Sequence, residues 1–249
     1  MNVTIIGGSG LIGRNLAPLL EHAGHRVTLA SPSQGVNTLT GEGLAGALAG
    51  ADVVVDVSNS PSFEEQAVLQ FFRASTTNLL AAEEAAGVSH HVALSVVGAD
   101  RLADNGYMRA KVAQEALIRG SSVPYTIVRA TQFFEFLTAI ASDGGADGKA
   151  ARVSSALFQP IAAADVAQFL ADVVSQVPRN AAVEVGGPQR LPMSEAVQRA
   201  LDAHGDARRV VADARAPYFG SVLDDRSLVT AADAPIGTTT LDAWLAKAA

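Results

Sequence analysis

Three groups of residues have the types and spacing that chemistry requires. The first is Gly7-Gly8-Ser9-Gly10-Leu11-Ile12-Gly13, set between a short β-branched run and an apolar run at helical spacing. Gly7 can take backbone angles closed to other residues. Gly10 has no side chain to keep a pyrophosphate from backbone N–H groups, and Gly13 lets a helix sit close to its strand. A helix starting at Leu11 adds free donors and a partial positive charge. The stretch therefore reads as a diphosphate-binding turn, against the alternative of a structural loop without a ligand. The second group is Tyr107 and Lys111, four apart on one face of a predicted helix. A phenol has a pKa of about 10, and a nearby ammonium lowers it. Such a tyrosine can give a proton to a carbonyl oxygen; the plain alternative is a surface tyrosine beside a solvated lysine. The third group is polar and sits where strands end: Ser31 and Ser33, and Ser58 and Asn59.

The elements that must position these groups alternate. Asn2–Ile6 is apolar and β-branched, so it reads as a strand buried on both faces. A helix over Leu11–His22 follows, ended by Gly24, and then a strand over Arg26–Ala30. Further strands are predicted over Ala51–Ser58, His91–Val97 and Pro124–Arg129. Helices are predicted over Ser62–Ala86, Met108–Arg119 and Thr131–Ala141, with a short one over Gly43–Leu48. This alternation predicts an α/β chain: a Rossmann-type, doubly wound parallel sheet with helices on both faces. Beyond about residue 141 the pattern loosens. It predicts a flexible loop over Ser142–Gly148, helices over Ala164–Val177 and Met193–His204, and short strands over Ala182–Val185 and Arg209–Ala212. Short helices are predicted over Asp225–Leu228 and Thr240–Ala246. The chain thus reads as one domain, with a core over about 1–141 and a small C-terminal substrate lobe over about 142–249.

Composition excludes several classes. The 249 residues carry a net charge of −7, and no basic run appears, so nucleic acid and anionic membrane are poor partners. Charged residues make up only 17%, which suits a buried parallel sheet and is compatible with a homodimer. Without cysteine there is no disulfide, thiolate zinc site or cysteine nucleophile. His90 and His91 lack a second ligand at metal spacing, so no metal site is expected. The first residues enter a strand at once with no signal peptide, and no apolar run spans a bilayer, so the expected compartment is the cytoplasm.

With these residues in view, the chain resembles a short-chain dehydrogenase/reductase. It is most similar to the atypical branch, the NmrA-like and quinone-reductase-like NAD(P)H-binding proteins. Gly7, Gly10 and Gly13 match the GxxGxxG form, and Tyr107 to Lys111 match YxxxK. Ser95, at the end of its strand, matches the catalytic serine. Val128–Phe136, VRATQFFEF, resembles the branch's RPTQFFEF stretch, with Ala130 in place of the usual proline. The resemblance implies catalytic Ser95, Tyr107 and Lys111. Tyr107 would protonate a carbonyl as hydride arrives, Lys111 would also hold the nicotinamide ribose, and Ser95 would donate to the same carbonyl oxygen. Tyr107 is equally open to a structural role. The implied function is an oxidoreductase passing hydride to a carbonyl, quinone or similar small acceptor. The alternatives are an NmrA-like sensor that binds dinucleotide and regulates a protein partner, and a nucleotide-sugar epimerase or dehydratase.

The cofactor is read from what is missing. NAD-specific loops place an acid near the end of the second strand. Here Ala30-Ser31-Pro32-Ser33 has none, and Ser31, Ser33 and Arg14 can meet a 2′-phosphate. NADP is expected, with NAD left open because no arginine occupies positions 31–33. Ser58 and Asn59 either pass under the cofactor or form a plain polar turn. Phe133 and Phe134 are core residues by spacing, or one ring lines the substrate pocket. Asp56, inside an apolar strand, reads as a satisfied buried carboxylate.

Overall fold

The apolar runs condense into a six-stranded parallel sheet, and each strand is fed by a helix that must cover one of its faces. The structure is a computed structural model and describes residues 1–142 and 150–248. In chain order it contains β1 (Asn2–Ile6), α1 (Leu11–His22), β2 (Arg26–Ala30), α2 (Leu44–Ala47), β3 (Val53–Asp56), α3 (Glu65–Ala86), β4 (His90–Val96), α4 (Gly106–Arg119) and β5 (Tyr125–Ala130). It continues with α5 (Leu137–Ser142), β6 (Ala150–Val153), β7 (Leu157–Phe158), α6 (Ala163–Val174), β8 (Ala181–Val185), β9 (Leu191–Pro192), α7 (Met193–Ala203), β10 (Arg209–Ala212) and α8 (Leu241–Ala248). The sheet order is β2-β1-β3-β4-β5-β8. β1 lies in parallel register with β2 on one side and β3 on the other.

The chain divides into two units, Met1–Arg129 with Val166–Val183, and Ala130–Asp165 with Glu184–Ala249. In the first, Ile6, Ala30, Leu44, Leu48, Val54 and Leu79 form one buried cluster, and Val68, Phe72 and Ala110 join α3 to α4. In the second, Phe134 packs on Trp244 with ring centroids 5.6 Å apart. Asp165, in the first turn of α6, accepts from the N–H and hydroxyl of Thr239 at 2.8 and 2.9 Å.

Several boundaries differ from the sequence expectation, for visible reasons. α3 starts at Glu65 rather than Ser62, because the hydroxyls of Ser60 and Ser62 accept from the N–H groups of Ser62 and Glu64 and hold a turn. α4 starts at Gly106, where the Asn105 side chain accepts from Met108 N–H at 3.1 Å. The helix expected from Thr131 is delayed to Leu137. Thr131 and Phe134 donate instead to the carbonyls of Val185 and Ile161, at 3.0 and 2.9 Å, which keeps the chain extended. Asp225–Leu228 is not a helix; Asp224 ties down the turn through Ser227 Oγ and Arg226 N–H. The loop expected over residues 142–148 lies outside the described residues, apart from Ser142 at the end of α5. Among the described residues no helix is long and apolar enough to cross a membrane.

One ion pair is fully enclosed. His91 on β4 meets Glu83 on α3 at 2.8 and 3.0 Å, and both side chains are inaccessible to solvent. Burial pushes the Glu83 carboxyl up, and His91 offsets part of that. Burial disfavours the charged His91, but the Glu83 carboxylate outweighs it and raises the imidazole above its ordinary value. Removing one partner strands the other in an apolar setting. His91→Ala should therefore lower unfolding stability by about 3–5 kcal/mol, read from denaturant midpoints. Arg152→Ala, at the exposed pair with Asp213, should cost less than about 1 kcal/mol.

Candidate cofactor and active site

β1 is the point where the strand order reverses, since β2 pairs on one side of it and β3 on the other. In open α/β sheets the crevice outside the carboxyl ends of two such strands takes the ligand. The turn after β1 and the loop after β3 meet there. Gly7 has φ +80°, and a Cβ on it would lie 2.8 Å from Ser58 N and 2.9 Å from Val57 C. A Cβ on Gly13 would lie 2.6 Å from Gly8 Cα and 2.7 Å from Gly7 O. A Cβ on Gly8 would strike the Leu29 side chain at 2.9 Å, whereas one on Gly10 would meet only Gly7 O, at 3.2 Å. Gly7 and Gly8 donate to Ala30 O, and Gly10 donates to Gly7 O.

Helix α1 starts at Gly10 with no side-chain cap and no acid in its first turn. Its leading N–H groups and positive pole are thus left for an anion. Ile12 is buried and Leu11 is exposed. The Arg14 guanidinium is exposed; its Nε donates to Ser9 O at 2.6 Å, and it makes no ion pair with another described residue. A backbone cradle built on four glycines, at an uncapped helix start, fits a dinucleotide diphosphate. At the end of β2, Ser31 is buried. Its hydroxyl meets Gln34 Oε1 at 2.7 Å and Ser33 Oγ at 2.9 Å, while Ser33 is exposed.

A buried polar chain runs from this crevice into α4. Asp56, 2% exposed, accepts from Ser58 N–H at 2.9 Å and from Ser58 Oγ at 2.6 Å. Its other oxygen accepts from Gln114 Nε2 at 3.0 Å. The Gln114 carbonyl accepts from Lys111 Nζ, which also donates to Leu94 O at 2.8 Å and sits 4.3 Å from the centre of the Phe72 ring. Lys111 is 3% exposed. Burial pulls its ammonium down to about 8, with Asp56 and Glu115 opposing. So placed, Lys111 spends two of its three N–H donors on Leu94 O and Gln114.

Tyr107 is half-buried in the first turn of α4. Its ring lies 6.0 Å from Phe72 and 5.8 Å from the exposed Phe63, and its hydroxyl donates to Asn59 Oδ1 at 3.3 Å. The expected lowering of its pKa by Lys111 is not found. Burial pushes the phenol up to about 12, and the Lys111 ammonium is engaged by Leu94 O and Gln114.

Ser95, also buried, donates to Glu115 Oε1 at 2.7 Å. Glu115 is gripped by Arg129 through Nε and Nη2, at 2.8 and 2.7 Å, and by Arg119 at 2.7 Å; Arg129 Nη1 reaches Asp100 at 2.7 Å. Burial alone would raise the Glu115 carboxyl, but the bonds from Arg129 and Ser95 hold it below the usual range. The single proton of Ser95 is thus engaged by a carboxylate and not presented to a carbonyl.

Phe134 is 2% exposed and belongs to the core of the second unit. Phe133, half-buried, stacks on the exposed Phe136 at 5.9 Å. No group of described residues could hold a metal ion. Sequence reasoning missed Gln114, Glu115, Arg129 and Asp100 as partners. The available signal was helical spacing, since positions 114 and 115 lie three and four beyond Lys111 and share its face.

The Lys111 shift carries a sign. Between about 8 and its ordinary 10.5 the unfolded chain holds a proton that the folded chain has released. Stability from this group therefore rises with pH over that window. The rise from pH 8 to 9.5 should be about 1–2 kcal/mol and should disappear in Lys111→Met, measured by chemical denaturation at both pH values.

The comparisons with known proteins agree with this geometry. The family model for NAD(P)H-binding matches residues 7–177, well over half of the chain. No curated protein matches it. Among solved structures, the chain is similar to a UDP-glucose 4-epimerase with UDP-glucose from Thermotoga maritima, with TM-score 0.74 and 15% identity over 98% of this chain and 96% of that one. It is similar to RMD from Pseudomonas aeruginosa complexed with NADPH, at TM-score 0.69 and 17% identity, covering 98% and 96%. A UDP-glucose 4-epimerase complexed with NAD from Thermus thermophilus gives TM-score 0.69 and 17% identity, covering 92% of each chain. These likenesses show a shared Rossmann-type fold. On the family match, this chain belongs to the NAD(P)H-binding family.

Proposed function

We propose that this protein is an NADP-dependent oxidoreductase that passes hydride to a carbonyl, quinone or similar small acceptor. The observation that carries the reading is the uncapped, glycine-rich turn of Gly7–Gly13, backed against Ser58 at the reversal of strand order. Ser9, Gly10, Leu11 and Ile12 would meet the diphosphate with backbone N–H groups. When bound, the nicotinamide supplies hydride.

The choice of NADP rests on the end of β2. No carboxylate stands there to hold a ribose hydroxyl or to repel a 2′-phosphate. Ser33 and the Arg14 guanidinium are exposed beside the crevice and carry the donors a phosphate needs. RMD, with the same fold, holds NADPH. Ser58 stands directly behind Gly7, and in this reading it and Asn59 would line the opposite wall of the crevice.

Tyr107 is the proton donor of this reading. Its phenol keeps its proton throughout the neutral range, held toward Asn59. An alkoxide formed by hydride addition is a stronger base than a phenolate, so the proton moves from Tyr107 to the new hydroxyl. Lys111 stabilises the surrounding geometry through Leu94 O and Gln114.

Fluorescence titration should show NADPH binding at least about tenfold more tightly than NADH, a margin of roughly 1.4 kcal/mol. Ser31→Asp should erase that margin, because it places a charge opposite the 2′-phosphate. With NADPH and a panel of quinones and aldehydes, loss of nicotinamide absorbance should be seen. Tyr107→Phe should then lower kcat by about 10²-fold or more with the cofactor Kd nearly unchanged. Tight binding with no turnover across the panel would replace this reading with that of a sensor.

A further inference from the structure

The glycine turn and the YxxxK helix are separate in sequence, yet one buried side chain touches the partners of both. Asp56 ends β3, and its two carboxylate oxygens face different ways. Oδ1 takes both donors of Ser58, at 2.9 and 2.6 Å, and so fixes the turn whose backbone stands 2.8 Å from the absent Cβ of Gly7. The next residue in that turn, Asn59, holds the Tyr107 hydroxyl and caps Ser60 N–H. Oδ2 takes the Gln114 amide, whose carbonyl takes Lys111 Nζ. A buried carboxylate with every contact satisfied is ordinary. One that reaches both the turn behind the glycines and the lysine is a positioning device, because each oxygen holds one of the two in place.

We propose that Asp56 is a positioning residue for the cofactor site, setting the Ser58–Asn59 turn through one oxygen and, through the Gln114 relay, the Lys111 ammonium through the other. This rests on the reading of the crevice as an NADP site. Gln114 is suited to the relay because an amide both donates and accepts, which neither an ionised carboxylate nor an apolar residue of that length can do in its place. The charges facing Lys111 are few. Asp56 acts from β3 across the relay. Glu115 lies on its own helix but is gripped by Arg129 and Arg119. Glu83 of α3 and His91 of β4 lie near Asp56 and are paired with each other. Asp56 is therefore the partner whose removal should register at Lys111.

The test uses the full chain with and without NADPH. Lys111 is one of three lysines, so its side-chain Cε resonance can be followed by carbon NMR through a pH titration. Asp56→Asn should shift the Lys111 titration to lower pH in the free protein and weaken NADPH binding about tenfold or more. Gln114→Leu should move the Lys111 titration in the same direction while changing the NADPH Kd less than threefold. Ser58→Ala, which removes one Asp56 contact, should weaken NADPH and leave Lys111 alone. If Asp56→Asn does not fold, the Gln114 and Ser58 variants still read the two arms separately. An unmoved Lys111 titration in Gln114→Leu, or equal NADPH losses in Gln114→Leu and Ser58→Ala, overturns the proposal. Failure of the unaltered protein to bind NADPH removes the NADP reading and the Ser58 arm together. The Lys111 titration, measured without cofactor, then decides the relay alone.

Discussion

Backbone lies directly on backbone at the glycine turn, and the arrangement of the crevice follows from that. Gly7 is pressed against Val57 and Ser58, and Gly13 against Gly7 and Gly8, at distances where any Cβ would force the chain apart. The first contact brings the end of β1 to the end of β3. The second brings the first turn of α1 down onto the loop, so its N–H groups converge on one small volume. The left-handed φ of Gly7 lets the chain leave β1 in that direction at all. A ligand of compact negative charge is the natural occupant of such a volume.

Behind this apolar-backed turn the first unit keeps an unusual amount of charge out of water. Asp56, Glu83, Lys111 and Glu115 are each at most 3% exposed, and each has a counter-charge or a hydrogen-bond relay. Buried ions add little net stability, since desolvation offsets most of the attraction. What they add is geometry: each fixes the relative position of elements far apart in sequence. Glu115 joins α4 to β4 through Ser95 and to β5 through Arg129; Asp56 joins β3 to α4.

Much of the fold was legible in the sequence, because its signals are local. Five-residue β-branched runs, glycines at helix ends and helical apolar spacing located β1, α1, β2, α4 and β10 to within two residues. The parallel sheet flanked by helices followed from the alternation of strands and helices, but its strand order did not. What was not legible depended on contacts between distant residues. The extended course of 131–133 is imposed by the carbonyls of Val185 and Ile161. The inward turn of Lys111, which spoils the simple pairing with Tyr107, depends on Leu94 O and Gln114. Four-residue spacing shows that two side chains share a helix face, but not that they point at each other. The conformation of the glycine turn was readable because its constraint is in the backbone. The partner of Ser95 was not, because it is a glutamate twenty residues on.

The grip of Arg129 on Glu115 also determines how the molecule meets concentrated electrolyte. Dissolved ions quench attractions they can surround; at 1 M the screening distance is about 3 Å. The Arg152–Asp213 pair, with the arginine 66% accessible, lies open to them. Glu115 at 1% and Arg129 at 11% do not. The fastening of β4, α4 and β5 thus belongs to the dry interior, and brine that erases the surface pairs leaves it intact.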